Sequence, residues 1–311
     1  VRSDRPELAP GVVGRKRFPV LPTDDPPSPT TVGFFEGLTL TTSLPQPDLT
    51  PGNTEPLLSL RGIDKNFGAV QVLTGIDLDV SQGEIVAIVG DNGAGKSTLV
   101  KILAGVYAPD GGEIRFRGKE VSINSPTDSR ALGIATVYQD LALCDNLDIV
   151  ANMWLGHEIG ALTINEVEME KRSWELLHQL SAVIPSVRIP VASLSGGQRQ
   201  TVAIARSLIG DPAIVILDEP TAALGVAQTA EVLNLVVRLR DCGHGIILIS
   251  HNMVDVQKVA DRIAVLRLGR NNGTFRTTDV TQQSIIAAIT GATDNAITRH
   301  NPPCTTERTS A

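Results

Sequence analysis

Cysteine is scarce: Cys144, Cys242 and Cys304 are all that 311 residues contain. They form no C-x-x-C pair and keep no metal-ligand spacing, so they read as reduced thiols in a cytosolic protein. Aromatic residues make up only 3% of the chain, so each one near a candidate site is worth weighing. No apolar run approaches the length of a membrane span. Val1 to Pro10 contain no apolar stretch of the kind a secretory signal needs, so no such signal is expected. Basic excess is also missing. The formal charge is −7, which argues against non-specific binding to nucleic acid or to an anionic membrane surface. No internal repeat is present.

Apolar residues nevertheless reach 42%, enough for one large domain or two modest ones with a real core. Ten prolines fall between Pro6 and Pro51, with no sustained hydrophobic period. Residues 1–55 therefore read as a disordered or extended arm. The chain begins with Val rather than Met, so a start placed too far upstream is an equal reading of this segment. Residues 294–311 read as a second loose tail.

Between these ends the pattern alternates. Ile85–Val89, Ala213–Leu217, Ile246–Ser250 and Ile263–Leu266 are short, branched, apolar runs typical of buried strands. Val226–Leu239 places Val232, Leu235, Val236 and Leu239 at helical spacing. Alternation of this kind predicts an α/β fold with a mostly parallel sheet and helices on both faces. Leu57–Leu60 and Ile76–Val80 alternate like half-buried antiparallel strands. Asn146 to Ile189 is helical in pattern, above all over Glu166–Leu180. It predicts a helical subdomain at about 140–193, inserted into a domain spanning 56–293. Trp154 and Trp174 fall there as core or interface residues.

The chemistry concentrates in a few stretches. Gly90-Asp91-Asn92-Gly93-Ala94-Gly95-Lys96-Ser97-Thr98 matches G-x-x-x-x-G-K-[ST] at every fixed position. Glycines let backbone N–H groups turn onto phosphates, Lys96 adds positive charge, Ser97 offers a hydroxyl to Mg²⁺, and the following helix points its positive end at the site. Asp218 ends a buried strand, placed to support the same metal, and Glu219 follows as a candidate base for an attacking water. His251 ends another strand, where an imidazole can reach a γ-phosphate. Gln139 follows the strand Ile134–Tyr138 and can touch metal or water, although an ordinary polar residue is an equal reading. Ser195-Gly196-Gly197-Gln198 opens a helix from Arg199 to Ile209, with Ser195 as N-cap. That makes an anion site with no cation to complete it, or simply a helix cap. Phe67 can stack on a base or fill a core.

Taken in order, the loop Gly90–Thr98, Gln139, the signature Leu194–Gln198, the strand end Ile214–Asp218 with Glu219, and His251 resemble one family. The chain resembles an ATP-binding cassette ATPase from about Leu57 to Ala292. Leu103-Ala104-Gly105-Val106-Tyr107, Glu219-Pro220-Thr221-Ala222-Ala223-Leu224 and Ile249-Ser250-His251-Asn252-Met253 are similar to the sugar importers of the ribose, xylose and fructose type. The resemblance implies a P-loop NTPase fold with an antiparallel β subdomain and an inserted helical subdomain. It implies ATP and Mg²⁺, with Phe67 on adenine, Lys96, Ser97 and Thr98 on phosphates and metal, Gln139 coupling to a permease, Asp218 supporting the metal, Glu219 as catalytic carboxylate and His251 as switch. Ser195 and Gly197 would complete the site of a second copy. The implied partners are that copy or a different second cassette, an integral membrane permease at the cytoplasmic face and an external sugar-binding protein, with no nucleic acid. Gly225 departs from the family pattern, which places an aspartate after Leu224. A cassette ATPase acting on ribosomes or DNA is the alternative. A kinase or GTPase leaves Leu194–Gln198 unexplained.

Overall fold

The structure, a computed structural model, describes residues 55–160 and 163–292. The proline-rich arm and the C-terminal tail expected from the sequence lie outside the described residues. No helix among those described is long and apolar enough to cross a membrane.

Two sheets form the centre. β1 (Leu58–Phe67), β2 (Val70–Val80), β4 (Gly111–Phe116) and β5 (Lys119–Val121) make an antiparallel sheet in the order β2-β1-β4-β5. The second sheet contains β3 (Ile85–Val89), β6 (Ile134–Val137), β7 (Ile214–Asp218), β8 (Gly245–Ile249), β9 (Arg262–Arg267) and β10 (Arg270–Arg276), in the order β10-β9-β3-β8-β7-β6. All its pairings are parallel except β10 with β9. The helices are α1 (Lys96–Leu103), α2 (Pro126–Ala131), α3 (Ile149–Trp154), α4 (Glu166–Gln179), α5 (Gly196–Ser207), α6 (Val226–Asp241), α7 (Met253–Val259) and α8 (Gln282–Thr290).

Strand alternation divides the core in two. Ile85, Ala87 and Val89, with Val215, Leu217, Ile246, Leu248, Ile263 and Val265, point to a cluster shared with helices α3 to α8. Val86 and Ile88, with Ile214, Ile216, Ile247, Ile249, Ala264 and Leu266, point to a cluster shared with α1 and the antiparallel sheet. A side-chain period of two sends successive residues of a buried strand to opposite layers. Helices thus lie on both faces, and on the second face α1 shares the cover with the antiparallel sheet. The apolar side chains of β1, β2 and β4 belong to the same cluster as the second face, because a half-polar antiparallel sheet has to bury its apolar side somewhere.

Helices α3 and α4 lie between β6 and α5. The α4 helix starts at its Asn165 N-cap, whose side chain accepts from Glu168 N, and the buried Trp154 donates its Nε1–H to Met169 O at 3.0 Å and to Ser173 Oγ at 2.9 Å. Trp174 is partly buried against the core and stacks on His178. Asn152 fastens this segment to the loop that leaves β6. It is fully buried, donates to the carbonyls of Cys144, Leu147 and Asp148, and accepts from Cys144 N at 2.7 Å. A near-isosteric Asn152→Leu change strands the Cys144 N–H, a penalty of ~1–3 kcal/mol, while the carbonyls of Cys144, Leu147 and Asp148 keep backbone donors from Leu147, Val191 and Asn152. Urea unfolding should show a loss of roughly 1–3 kcal/mol with an unchanged m-value.

Candidate functional site

Parallel pairing sets the site. Ile249 sits opposite Ile88 on one side and Asp218 on the other, and Val137 sits opposite Leu217. The C-terminal ends of β3, β8, β7 and β6 therefore stop at nearly one level. The residues that follow, Gly90, Ser250-His251, Glu219 and Tyr138-Gln139, emerge along one edge spanning about 15 Å at ~4.8 Å per strand. Ligands of open α/β sheets bind at such an edge.

The loop from β3 into α1 is shaped by what surrounds it. A Cβ at Gly90 would lie 2.2 Å from the carbonyl oxygen of Leu266, so only glycine fits. Gly95 takes φ +103 at the helix N-cap, a backbone conformation that other residues rarely adopt. The β9–β10 turn braces the loop: Gly269 N donates to Ala94 O at 3.2 Å, and Thr74 N of β2 donates to Gly269 O at 2.7 Å. Lys96 folds back under the loop, and its Nζ donates to Gly90 O at 2.7 Å and Asp91 O at 3.0 Å. Burial lowers its pKa, opposed by the negative charges of Glu219, Asp91 and Asp218. Asn92, Gly93 and Ser97 lie exposed on this loop and Thr98 is half-buried, while Ala94 is buried.

The carboxylates differ in environment. Burial pushes the Asp218 carboxyl up, and the neighbouring Glu219 charge adds to this, while Lys96 and Lys101 pull it back. Glu219 takes φ +50, a left-handed conformation that costs a non-glycine residue about 1 kcal/mol or more. Its N–H donates to Ile249 O at 3.0 Å, which extends the β7–β8 pairing one residue beyond the strand. Glu219 Oε2 lies 3.3 Å from His251 Nδ1, with the histidine side chain 69% exposed and the glutamate 24%. Lys96, Asp218, Glu219 and His251 are thus brought together. Gln139 is exposed at the same edge, beside Tyr138, whose pKa is raised by burial and by the charge of Asp218. A hard divalent ion suits this edge: its donors are oxygens, Ser97 Oγ, the Gln139 amide and Asp218, and two adjacent carboxylates there are short of positive charge.

Phe67 lies at the β1–β2 hairpin, 41% exposed, with its ring edge-on to Tyr107 at 5.1 Å between centroids and Lys65 Nζ 5.5 Å away. Further along β2, Val72 and Leu73 crowd the Gly95 position. Tyr107 was not singled out by the sequence reading, and neither was Gly269. Tyr107 ends the Leu103–Tyr107 stretch and Gly269 sits in the β9–β10 turn, so residue type, a rare aromatic and a glycine, was the available signal.

The second motif lies on α5. Ser195 caps the helix: Gln198 N donates to Ser195 Oγ, and Ser195 N donates to Gln198 Oε1 at 3.0 Å. Gln198 Nε2 donates to Val183 O, so its amide is engaged within the chain. Gly196 is exposed, while Gly197 is buried against Gln228 of α6. Leu224 also crowds the Gly196 position. Gly225, the departure noted in the sequence, forms the N-cap of α6 and donates its N–H to Gln228 Oε1 at 3.3 Å.

With this geometry in place, comparison with known proteins is informative. The ABC transporter family matches residues 73–222. The chain is 46% identical over 215 residues to the xylose/arabinose import ATP-binding protein XylG of Sulfolobus acidocaldarius, covering 69% of this chain and 86% of that protein. It is 45% identical over 247 residues to the fructose import ATP-binding protein FrcA of Rhizobium meliloti, covering 76% and 95%. Against the ribose import ATP-binding protein RbsA of Yersinia pestis the identity is 40%, over 77% of this chain but only 47% of RbsA. Among solved structures, cbiO1 of Clostridium perfringens, part of the ABC transporter complex cbiONQ, superposes with TM-score 0.66 at 28% identity, covering 75% and 93%. The dimeric bacterial cassette MJ0796 does so with TM-score 0.61 at 26% identity, covering 71% and 98%. Identity at this level, across two-thirds of the chain and most of XylG and FrcA, makes this chain a member of the ATP-binding cassette family, the ATPases of ABC transporters.

Proposed function

We propose that the chain is the ATP-hydrolysing subunit of a monosaccharide importer, working as a homodimer at the cytoplasmic face of the membrane beneath a permease. The observation that carries the hydrolytic reading is the Glu219–His251 pair, at 3.3 Å, on the same strand-end edge as Lys96 and Asp218. The names of XylG, FrcA and RbsA support sugar as the cargo. An extracytoplasmic sugar-binding protein belongs to this reading. Dimer formation is supported by the dimeric cassette of similar fold.

In this reading the triphosphate of ATP lies along Gly90–Thr98, held by backbone N–H groups and the N-terminal end of α1. Lys96 exchanges the carbonyls of Gly90 and Asp91 for phosphate oxygens, a stronger charge-assisted contact. Phe67 stacks on the adenine. Ser97, Gln139 and Asp218 would hold Mg²⁺, which neutralises phosphate charge when bound. Glu219 accepts a proton from the attacking water, and His251 holds that carboxylate and the γ-phosphate in line. The oxygen of the water bonds to phosphorus as the bond to ADP breaks. Ser195, Gly196 and Gly197 form an N–H-rich helix start without a cation of its own, suited to close on the ATP bound by the other copy. Closing and reopening of the pair then drive the permease, with Gln139 as the contact that reports nucleotide state.

Three outcomes check this reading. Glu219→Gln should lower kcat at least about 100-fold, as loss of a general base does, and should leave an ATP-dependent dimer on size-exclusion chromatography. A wild-type rate in that variant would remove Glu219 from its role. Lys96→Ala should weaken ATP binding by roughly 10- to 150-fold in calorimetry, the worth of a hydrogen bond to a charged group. Asp218→Asn should abolish hydrolysis yet raise the melting temperature of the nucleotide-free chain. Folding raises the Asp218 pKa above its ordinary 3.8, so its charge opposes folding. The gain is complete above the folded value and disappears as pH falls below the ordinary one, where the carboxyl is neutral in both states. The cargo follows from uptake of labelled pentoses and hexoses in a strain lacking this chain.

A further inference from the structure

The loop after β7 and the loop after β8 carry Glu219 and His251, and a third group ties them together. Asp255 lies in the first turn of α7, four residues beyond His251. It is 4% exposed. An acid at a helix start gains from the helix dipole even when exposed. This one is instead buried and aimed at a segment 34 residues earlier in the chain. Its Oδ2 accepts from Thr221 Oγ1 at 3.3 Å and from Asn252 Nδ2 at 2.9 Å. Its Oδ1 lies 3.8 Å from Lys258 Nζ. Asn252 completes the arrangement: its Oδ1 accepts from Val254 N and Asp255 N, and its own N–H donates to the buried Ser250 Oγ.

Glu219 therefore sits between two ties from β7 to β8. On one side its own N–H holds Ile249 O. On the other, Thr221, two residues on, holds Asp255. A glutamate at φ +50 is strained, and such a conformation persists only where its surroundings over-determine it. The loop's own bonds, Ala222 N to Glu219 O at 3.1 Å and Leu224 N to Thr221 O at 3.3 Å, are local and do not reach the β8 loop. The Asp255–Thr221 contact does. A buried carboxylate is expensive unless its acceptors are filled, so the oxygen that binds Thr221 also keeps Asp255 buried.

We propose that Asp255 is a positioning residue for hydrolysis: through Thr221 and Asn252 it locks the two loops so that Glu219 and His251 stay in register at the edge of the sheet. Asp255 is only 4% exposed and acts through the loops that carry Glu219 and His251. This rests on the hydrolytic reading of Glu219, which the Glu219→Gln rate tests separately.

The full chain is assayed for ATP hydrolysis and, independently of activity, for amide hydrogen exchange. Asp255→Ala should lower kcat about 10- to 100-fold, the scale of a misplacement near 1 Å, with KM for ATP within twofold of wild type. Asp255→Asn keeps the oxygen that Thr221 and Asn252 use and should recover most of that loss. Thr221→Val should match Asp255→Ala, and the double variant should be no slower than either single one. The amides of Glu219, Ala222 and Leu224 should exchange at least tenfold faster in Asp255→Ala, with β7 itself unchanged. A purely structural role for Asp255 would instead raise KM or lower protection throughout β7 and α7. Unchanged protection of Glu219, equal losses in the Asn and Ala variants, or additive losses in the double variant would each overturn the proposal.

Discussion

Everything at the site depends on the parallel pairing of β3, β8 and β7. Ile88, Ile249 and Asp218 share a level across these strands, and that alignment sets where each following loop begins. A shift of one residue in β7 would turn Asp218 toward the other layer and move Glu219 off the edge. Register is held in turn by the two-sided burial of these strands, whose alternate residues enter two different clusters. The five residues of β3 and of β8 are all buried, so no slipped arrangement leaves the core intact.

The edge built this way is rich in negative charge. Asp91, Asp218 and Glu219 all act on the Lys96 ammonium, and burial works against them. Lys96 is a buried cation resting on two carbonyl oxygens, and Asp218 is a half-buried acid whose carboxyl is pushed up. Such a cluster is poorly compensated by itself, and an oxygen-rich polyanion carrying a divalent ion would complete it: phosphates for Lys96 and the metal for Asp218. Stability held back at a site in this way is a general feature of sites that bind charge.

The fold and the motif-bearing part of the site were legible because they rest on local rules. A glycine loop between a buried strand and a helix, an acid at the end of an apolar run and a serine cap are patterns within ten residues of sequence. The buried faces of α6 could be read from Val232, Leu235, Val236 and Leu239, and all four are buried. What escaped was made by contacts between distant segments. Tyr107 meets Phe67 across forty positions, and Gly269 braces the phosphate loop from far downstream. The antiparallel sheet over one face was read as strands but not as a cover, because packing between layers leaves only a single apolar period in each strand.

The second phosphate motif shows the same division between local and distant causes. Ser195 and Gln198 cap each other within three residues, which the sequence spells out. The surface they present is set by α6 and the loop before it, since Leu224 crowds the Gly196 position and Gln228 covers Gly197. Gln228 also receives the N–H of Gly225, the residue that stands where the family has an aspartate. The loop after Glu219 thus runs from the Asp255 tie at Thr221 to the signature contact at Leu224 within four residues. Leu224 and Gln228 thereby link the loop that carries Glu219 to the start of α5 by direct packing, so a displacement at Glu219 has a short route to the Ser195–Gln198 surface.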